Sequence, residues 1–250
     1  MKKLLDYRKV NSLLEYITVE KVYPLSIVEG YQSGEIFVDD TEKPTYALFW
    51  HYCGFAFIVG LYTDEILKEI HELMKRPTEG HSNRLVIQTN ICNEMIVFTD
   101  LLCRERYIFS FVGSKIKPIA PEGCMLCPIT GDNYELIQGN IVPGFSWSNK
   151  EAFLSRGFGF CLMNENEILA CAFSASISNE YVDIGIETNE KYRGKGYGKI
   201  VASAMVEEII KRVKEPAWAC DTENKGSKRI ACAVGFQIEG IHPCYKLQMN

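Results

Sequence analysis

The sequence predicts an α+β protein with a mixed α/β sheet in each of two halves. Three observations carry that reading. Short runs rich in Val, Ile and aromatic residues alternate with longer stretches of helical period, as in residues 34–39 against 63–75. A glycine-rich turn at 194–198 joins a strand-like run to a long helix with a continuous apolar stripe. On either side of residues 113–123 the chain reads in the same order: helix, three strands, helix, strand, helix, strand.

In the first half, residues 3–17 read as an amphipathic helix with Val10, Leu14 and Ile17 on one face. Residues 34–39 and 45–51 read as strands joined by the polar hairpin loop 40–44, and 55–59 as a third strand. Thr63 is placed to cap a helix running to about Lys75, with Asp64 and Glu65 favourable near its positive end. A strand at 84–89, a helix at 93–103 and a strand at 107–112 complete the half.

Residues 113–123 hold two prolines, two glycines and little periodicity, which marks a boundary. The expected domains are therefore 1–113 and 123–250. The second half opens with a strand at 125–129. Asp132 to Glu135 and Ser148 to Glu151 each match a capping box. Strands follow at 158–163, 167–174 and 181–188. The helix after the glycine turn carries Val201, Met205, Ile209 and Val213 every four residues, and Pro216 ends it. Residues 217–221 form a strand, 225–234 a short helix, and Gly235-Phe236 starts the closing strands.

The composition excludes several classes. Of 250 residues, 47% are hydrophobic and 24% charged, so the chain is neither disordered nor collagen-like. A net charge of -5 argues against a nucleic-acid binder. Most of the ten cysteines sit inside apolar runs, as in Leu101-Leu102-Cys103, which suits buried thiols in a reducing cytoplasm. Cys124 and Cys127 lack a second ligand pair, and His51, His71, His81 and His242 show no paired spacing, so no metal is expected. The N-terminal residues lack an apolar leader. The apolar run 46–62 is short for a membrane span and contains His51 and Gly54, so it reads as two buried strands.

The chemistry concentrates in residues 187–199. Gly194, Gly196 and Gly198 let the backbone take positive φ and approach a ligand closely. Free N–H groups at the following helix start, with the positive end of its dipole, form an anion site. Lys191, Arg193, Lys195 and Lys199 add four cations in an otherwise acidic protein. The expected ligand part is a phosphate or pyrophosphate. A P-loop would need Ser or Thr after Lys199, where Ile200 stands. The dinucleotide fingerprint would need Gly at position 199. In the first half the corresponding turn, 60–65, carries Asp64 and Glu65 where an anion site needs cations.

Arg193-Gly194-Lys195-Gly196-Tyr197-Gly198 resembles the Arg/Gln-x-x-Gly-x-Gly/Ala signature of the GNAT superfamily of N-acetyltransferases. A second block, Asn224, Ser227, Ile230-Ala231 and Gly235-Phe236, is similar to the family's Asn-x-x-Ala-x-x-Leu-Tyr-x-x-x-Gly-Phe segment. Pro216-x-Trp218, Ser227 and an alanine before Gly-Phe resemble the zwittermicin-resistance-like branch. The resemblance implies a GNAT acyl-CoA N-acyltransferase fold in the C-terminal half, with the N-terminal half a degenerate copy. It implies that acetyl-CoA enters between two splayed strands. The backbone of Ile186, Glu187 and Thr188 would pair with the pantetheine arm. The amides of Arg193, Gly194, Lys195, Gly196, Tyr197, Gly198 and Lys199 would hold the pyrophosphate, and Asn224 would reach the pantetheine arm or the acceptor side.

The implied reaction is direct attack of a small-molecule amine on the thioester. Ala231 stands where the family often has a general-acid Tyr, and Ala219 where some members have a Glu base. Glu187 is the candidate base and Ser227 the candidate donor to the leaving thiolate. Phe145, Ser146, Trp147 and the loop before them are expected to line the acceptor side, with the N-terminal half as a lid or a homodimer surface. The alternative is a non-catalytic acyl-CoA sensor or scaffold, for which Ala219 and Ala231 speak. No nucleic acid or membrane partner is expected.

Overall fold

The computed structural model describes residues 1–75, 84–87, 101–113, 117–165 and 167–247. Its strands are β1 (Lys2–Lys3), β2 (Gly34–Val38), β3 (Tyr46–His51), β4 (Phe55–Gly60), β5 (Arg84–Ile87), β6 (Leu101–Phe111), β7 (Met125–Pro128), β8 (Gly159–Asn164), β9 (Glu167–Ile177), β10 (Tyr181–Thr188), β11 (Glu215–Asp221) and β12 (Phe236–Leu247). Its α-helices are α1 (Val22–Val28), α2 (Asp64–Met74), α3 (Lys150–Arg156), α4 (Tyr197–Lys211) and α5 (Lys225–Val234). The chain forms two compact units: residues 1–106 with 242–250, and residues 107–241. The divisions fall inside β6 and β12. The segment 113–123, expected as a boundary, lies within the residue range of the second unit.

In the first unit β2, β3 and β4 pair antiparallel, and β4 pairs parallel with β5. The β2–β3 hairpin is tied by two carboxylates. Asp40 accepts from the amides of Glu42 (2.8 Å) and Lys43 (2.9 Å), and Asp39 from that of Thr45 (2.9 Å). All of β3 is buried, so its strand alternation is lost. Leu48, Trp50, Ala56 and Ile58 pack against Leu67, Ile70 and Leu73 of α2. The apolar run 46–62 is thus two buried strands, and no described helix is long and apolar enough to cross a membrane.

Two expectations for this half need correction. Residues 3–17 do not form one amphipathic α-helix: β1 comes first, then a 3-10 helix, Tyr7–Tyr16. Its buried Val10 and Leu13 are three apart, the spacing of three residues per turn. Residues 101–103 open β6 instead of closing a helix; the remainder of that expected helix, 93–100, lies outside the described residues. From 102 to 106, more and less exposed residues alternate, the period of a strand. At the end of this stretch Arg106 pairs with Glu20 at 2.7 Å and lies over the Phe55 ring.

In the second unit the strand order is β12-β6-β11-β10-β9-β8-β7. Strands β7 to β10 pair antiparallel, and β10 pairs parallel with β11. This repeats the pattern of β2 to β5, as a duplicated order of elements requires. Helix α4 buries Val201, Met205, Val206 and Ile209. Phe153 of α3 meets Phe173 of β9 and Trp147, whose indole N–H donates to the Ser174 carbonyl at 2.8 Å.

Cys127, Cys161 and Cys171 face one another across β7, β8 and β9. Burial pushes the Cys171 thiol up to about 12, so it stays protonated and packs as a small apolar group. Val213, expected on the α4 stripe, instead lies beyond the helix end, 91% exposed with φ 60°. The chain turns there because the Lys214 N–H reaches back to the Ile209 carbonyl.

Candidate active site

The site begins where β10 and β11 part. Their parallel register holds for Tyr181↔Glu215, Val182↔Pro216 and Asp183↔Ala217, and no further pair follows among the described residues. At the same point the β10–β9 ladder skips Ala175, between Asp183↔Ser176 and Ile184↔Ser174. An extra residue in one strand raises the local twist and bends the ladder. Beyond the bulge, residues 184–188 stay on β9 while the β11 side opens. The edge at Ile186, Glu187 and Thr188 is thereby left without a β11 partner among the described residues.

β10 leads into the turn before α4. Gly194 and Gly196 have φ of 83° and 85°, and a side chain at either would meet no protein atom within 4 Å. These glycines are required by backbone conformation, beside open space. Gly198 differs: a Cβ there would lie 2.8 Å from Ile230 Cδ1 and 3.0 Å from Thr188 Oγ1. It lets α4 start close against β10 and α5. Among the described residues, no acceptor is found for the backbone N–H of Gly194, Lys195, Gly196, Tyr197 or Gly198. Orphan amides at a helix start, aligned with its dipole, are suited to a diphosphate. The residues present therefore fit acetyl-CoA.

The cations are arranged unequally. Lys191 reaches Glu167 at 3.6 Å, and Arg193 reaches Glu187 at 3.3 Å and Glu190 at 3.4 Å. Lys195 lies over the Tyr192 ring, 5.0 Å from its centre. The Tyr192 hydroxyl donates to Glu167 at 2.6 Å, which holds that carboxylate below its usual range and raises the phenol.

On the other wall, Asn224 caps α5, its Oδ1 accepting the Ser227 N–H at 3.0 Å. Trp218 of β11 donates its indole N–H to Ser227 Oγ at 3.0 Å, so that hydroxyl accepts one bond and keeps its proton to donate. Ala231 is fully buried.

Glu187 is more engaged than its place on an open edge suggests. One carboxylate oxygen accepts the amides of Asn140 and Ile141, each at 3.0 Å. The other accepts the Thr188 amide at 3.2 Å and the Arg193 guanidinium at 3.3 Å. Its side chain is 12% exposed. Nothing in the spacing of the sequence connects residue 140 to residue 187. Gly139 is the one local sign: its φ is 134°, and a Cβ there would lie 2.5 Å from Glu187 Cγ. Ser146 and Trp147, expected along the acceptor side, are instead buried (0% and 2% exposed), and Phe145 is half-buried. Loop residues 138–140 are exposed.

A parallel strand pair that splays at a bulge, facing a left-handed glycine turn at a helix start, defines the GNAT fold of N-acetyltransferases. The comparisons agree. The GNAT acetyltransferase family matches residues 13–245, and the chain belongs to that family. It is 24% identical over 232 residues to the uncharacterized N-acetyltransferase YdfB of Bacillus subtilis, covering 88% of each chain. The GCN5-related N-acetyltransferase-like protein of Streptococcus suis matches at TM-score 0.76 and 22% identity, over 97% of this chain and 98% of that one. A tandem GNAT protein from the clavulanic acid biosynthesis pathway matches at TM-score 0.57 and 11% identity, over 100% and 99%. The chain is a GNAT-type N-acetyltransferase, of a family that generally uses acetyl-CoA.

Proposed function

We propose that this chain moves an acetyl group from acetyl-CoA to a primary amine of a small molecule. The observation that carries the reading is the set of unpartnered amides from Gly194 to Gly198, beside the β10 edge that β11 leaves open. Acetyl-CoA supplies the activated thioester carbonyl. Ile186, Glu187 and Thr188 offer backbone groups to the pantetheine arm, and residues 193–199 offer amides and cations to the diphosphate. Backbone N–H groups of the same strand stabilise charge developing on the carbonyl oxygen. Asn224 holds the start of α5 in place beside the arm. Ser227 donates its hydroxyl proton to the departing thiolate and is reprotonated by cleft water, which in turn takes the proton that the attacking nitrogen loses as the amide forms.

Of the two side chains expected to move protons, Ser227 keeps a free donor while all four lone-pair positions of Glu187 are taken. The ammonium proton then leaves to water in the open cleft. Residues 1–113 are read as a degenerate copy and 123–250 as the acetyl-transferring domain. The repeated strand pairing supports this, and Asp64 and Glu65 at the first turn of α2 repel a diphosphate. Pro216, Trp218 and Ser227 favour the zwittermicin-resistance-like branch. Five of the nine described cysteines are buried, while Cys103, expected among the buried thiols, and Cys232 are exposed; all nine are free, which suits work in a reducing cytoplasm.

Purified protein with acetyl-CoA and a panel of small primary amines should release free CoA thiol. Acetyl-CoA at about a hundred times its dissociation constant should add roughly 2.7 kcal/mol of stability, visible as a thermal shift. A shift without thiol release from any amine supports the sensor alternative; neither shift nor release defeats both.

A further inference from the structure

The Glu187 carboxylate joins two segments that the chain separates by 46 or more residues. One is the loop at Gly139, Asn140 and Ile141; the other is the cofactor turn, reached through Arg193. Both Asn140 and Ile141 donate backbone amides to the same oxygen, and Gly139 at φ 134° permits the loop to lie against the side chain. A carboxylate receiving charge-assisted bonds from a loop holds it more firmly than neutral contacts do.

We infer that Glu187 is a positioning residue: it fixes loop 139–141 beside the cleft and makes that loop respond to the diphosphate through Arg193. This rests on the acetyl-CoA reading given above. Arg193 is more than half exposed and divides its guanidinium between Glu187, Glu190 and the Thr188 carbonyl, so an incoming dianion competes for it directly. As Arg193 turns toward the ligand, the Glu187 charge is less neutralised. Its hold on the amides of Asn140 and Ile141 then strengthens. The loop is thus firmest when the cofactor is in place. No bond is made or broken in this coupling.

Hydrogen exchange of the Asn140 and Ile141 amides, measured with and without saturating coenzyme A, tests it. In the wild type, coenzyme A should slow both by about threefold or more. Glu187→Gln should speed their basal exchange roughly tenfold and abolish the response, since each charged acceptor bond is worth about one decade. Arg193→Gln should abolish the response and slow basal exchange about as much as coenzyme A does in the wild type, because it removes the neutralising charge for good. Should Glu187→Gln fail to fold, Gly139→Ala leaves the β10 sequence intact, its Cβ forces the same loop away from the Glu187 side chain, and it should raise basal exchange likewise. Unchanged basal exchange in the Glu187 or Gly139 variant overturns the proposal, as does a response that survives in Arg193→Gln. Calorimetry separates the two readings. Wild-type protein that binds coenzyme A without any change at the loop sinks the coupling alone. Wild-type protein that gives no binding heat sinks the acetyl-CoA reading and the coupling with it.

Discussion

Trp218 and Ser227 are joined by a single hydrogen bond across β11 and α5, the indole N–H donating to the hydroxyl at 3.0 Å. Trp218 is 2% exposed, so Ser227 is its means of satisfying a buried donor. The hydroxyl accepts this bond and keeps its own proton to donate.

Two effects of Ser227→Ala follow from that bond. The orphaned indole N–H should cost about 1–3 kcal/mol in urea unfolding. Trp218→Phe added to it should cost less than the sum of the two single changes, since the donor disappears with its acceptor. Turnover should fall by on the order of a hundredfold if the hydroxyl protonates the thiolate. An unchanged kcat in a folded variant assigns that proton to water.

Gly196 caps α4 at φ 85° beside open space. Gly196→Asp should weaken coenzyme A binding by on the order of a hundredfold, because it sets a carboxylate against the diphosphate. Gly196→Ala, which carries the conformational cost alone, should bind far better than the Asp variant in calorimetry. Equal affinities in wild type and Gly196→Asp would show that the turn holds no anion.

Val213 is a β-branched residue in the left-handed region at the end of α4. That conformation costs an L-residue roughly 1–2 kcal/mol, and glycine adopts it freely. Val213→Gly should therefore raise stability by about 1 kcal/mol, or a melting point by about 2–4 °C. Its exposure means that no packing is lost. A lower melting point would contradict the strain.

Glu167 sits below its ordinary value of 4.5, chiefly because the Tyr192 hydroxyl donates to it, with Lys191 adding to the effect. A carboxylate with a depressed folded-state pKa contributes stability that is present above its unfolded pKa. That contribution is lost as pH falls through the folded value. Tyr192→Phe should move the Glu167 carboxyl, followed by NMR titration, upward toward 4.5. It should also flatten the loss of stability below that pH. A titration unchanged by the substitution would place the cause elsewhere.

In the first unit Arg106 and Glu20 form an ion pair with side-chain exposures of 15% and 5%. Desolvation opposes the Arg106 charge, but Glu20 outweighs it and holds the guanidinium above its ordinary range. Arg106→Leu leaves Glu20 buried without that partner and should cost about 3–5 kcal/mol in denaturant unfolding. The double change with Glu20→Gln should recover part of the loss. Equal stability of the single variant and the wild type would mean that solvent reaches the pair.

Several features of this protein were legible in the sequence because they depend on neighbours along the chain. Polar residues 40–44 between two apolar runs read as a hairpin loop, and the carboxylates of Asp39 and Asp40 tie it. The run 225–234 read as a short helix, and Asn224 just before it caps it by accepting the Ser227 amide. The alternate glycines before α4 read as a positive-φ turn, and two of the three have it. The 3-10 helix at residues 7–16 and the strand at 101–103 were misread. There local propensity is weak, and packing chose between near-equal alternatives.

By itself, then, the sequence determined where the positive-φ glycine turn before α4 lies, that cations cluster around it, and that Asp64 and Glu65 open α2. Those properties are set within a dozen residues by backbone freedom and charge. Only the tertiary structure decided that Glu187 is held by Asn140 and Ile141, that Ser227 is paired with Trp218, and that β10 leaves β11 after Asp183. Each of these brings together groups on different elements of the fold, or depends on a one-residue slip between strands. A hydrogen bond of that kind exists only once the surrounding packing has met the entropy cost of holding both partners in place.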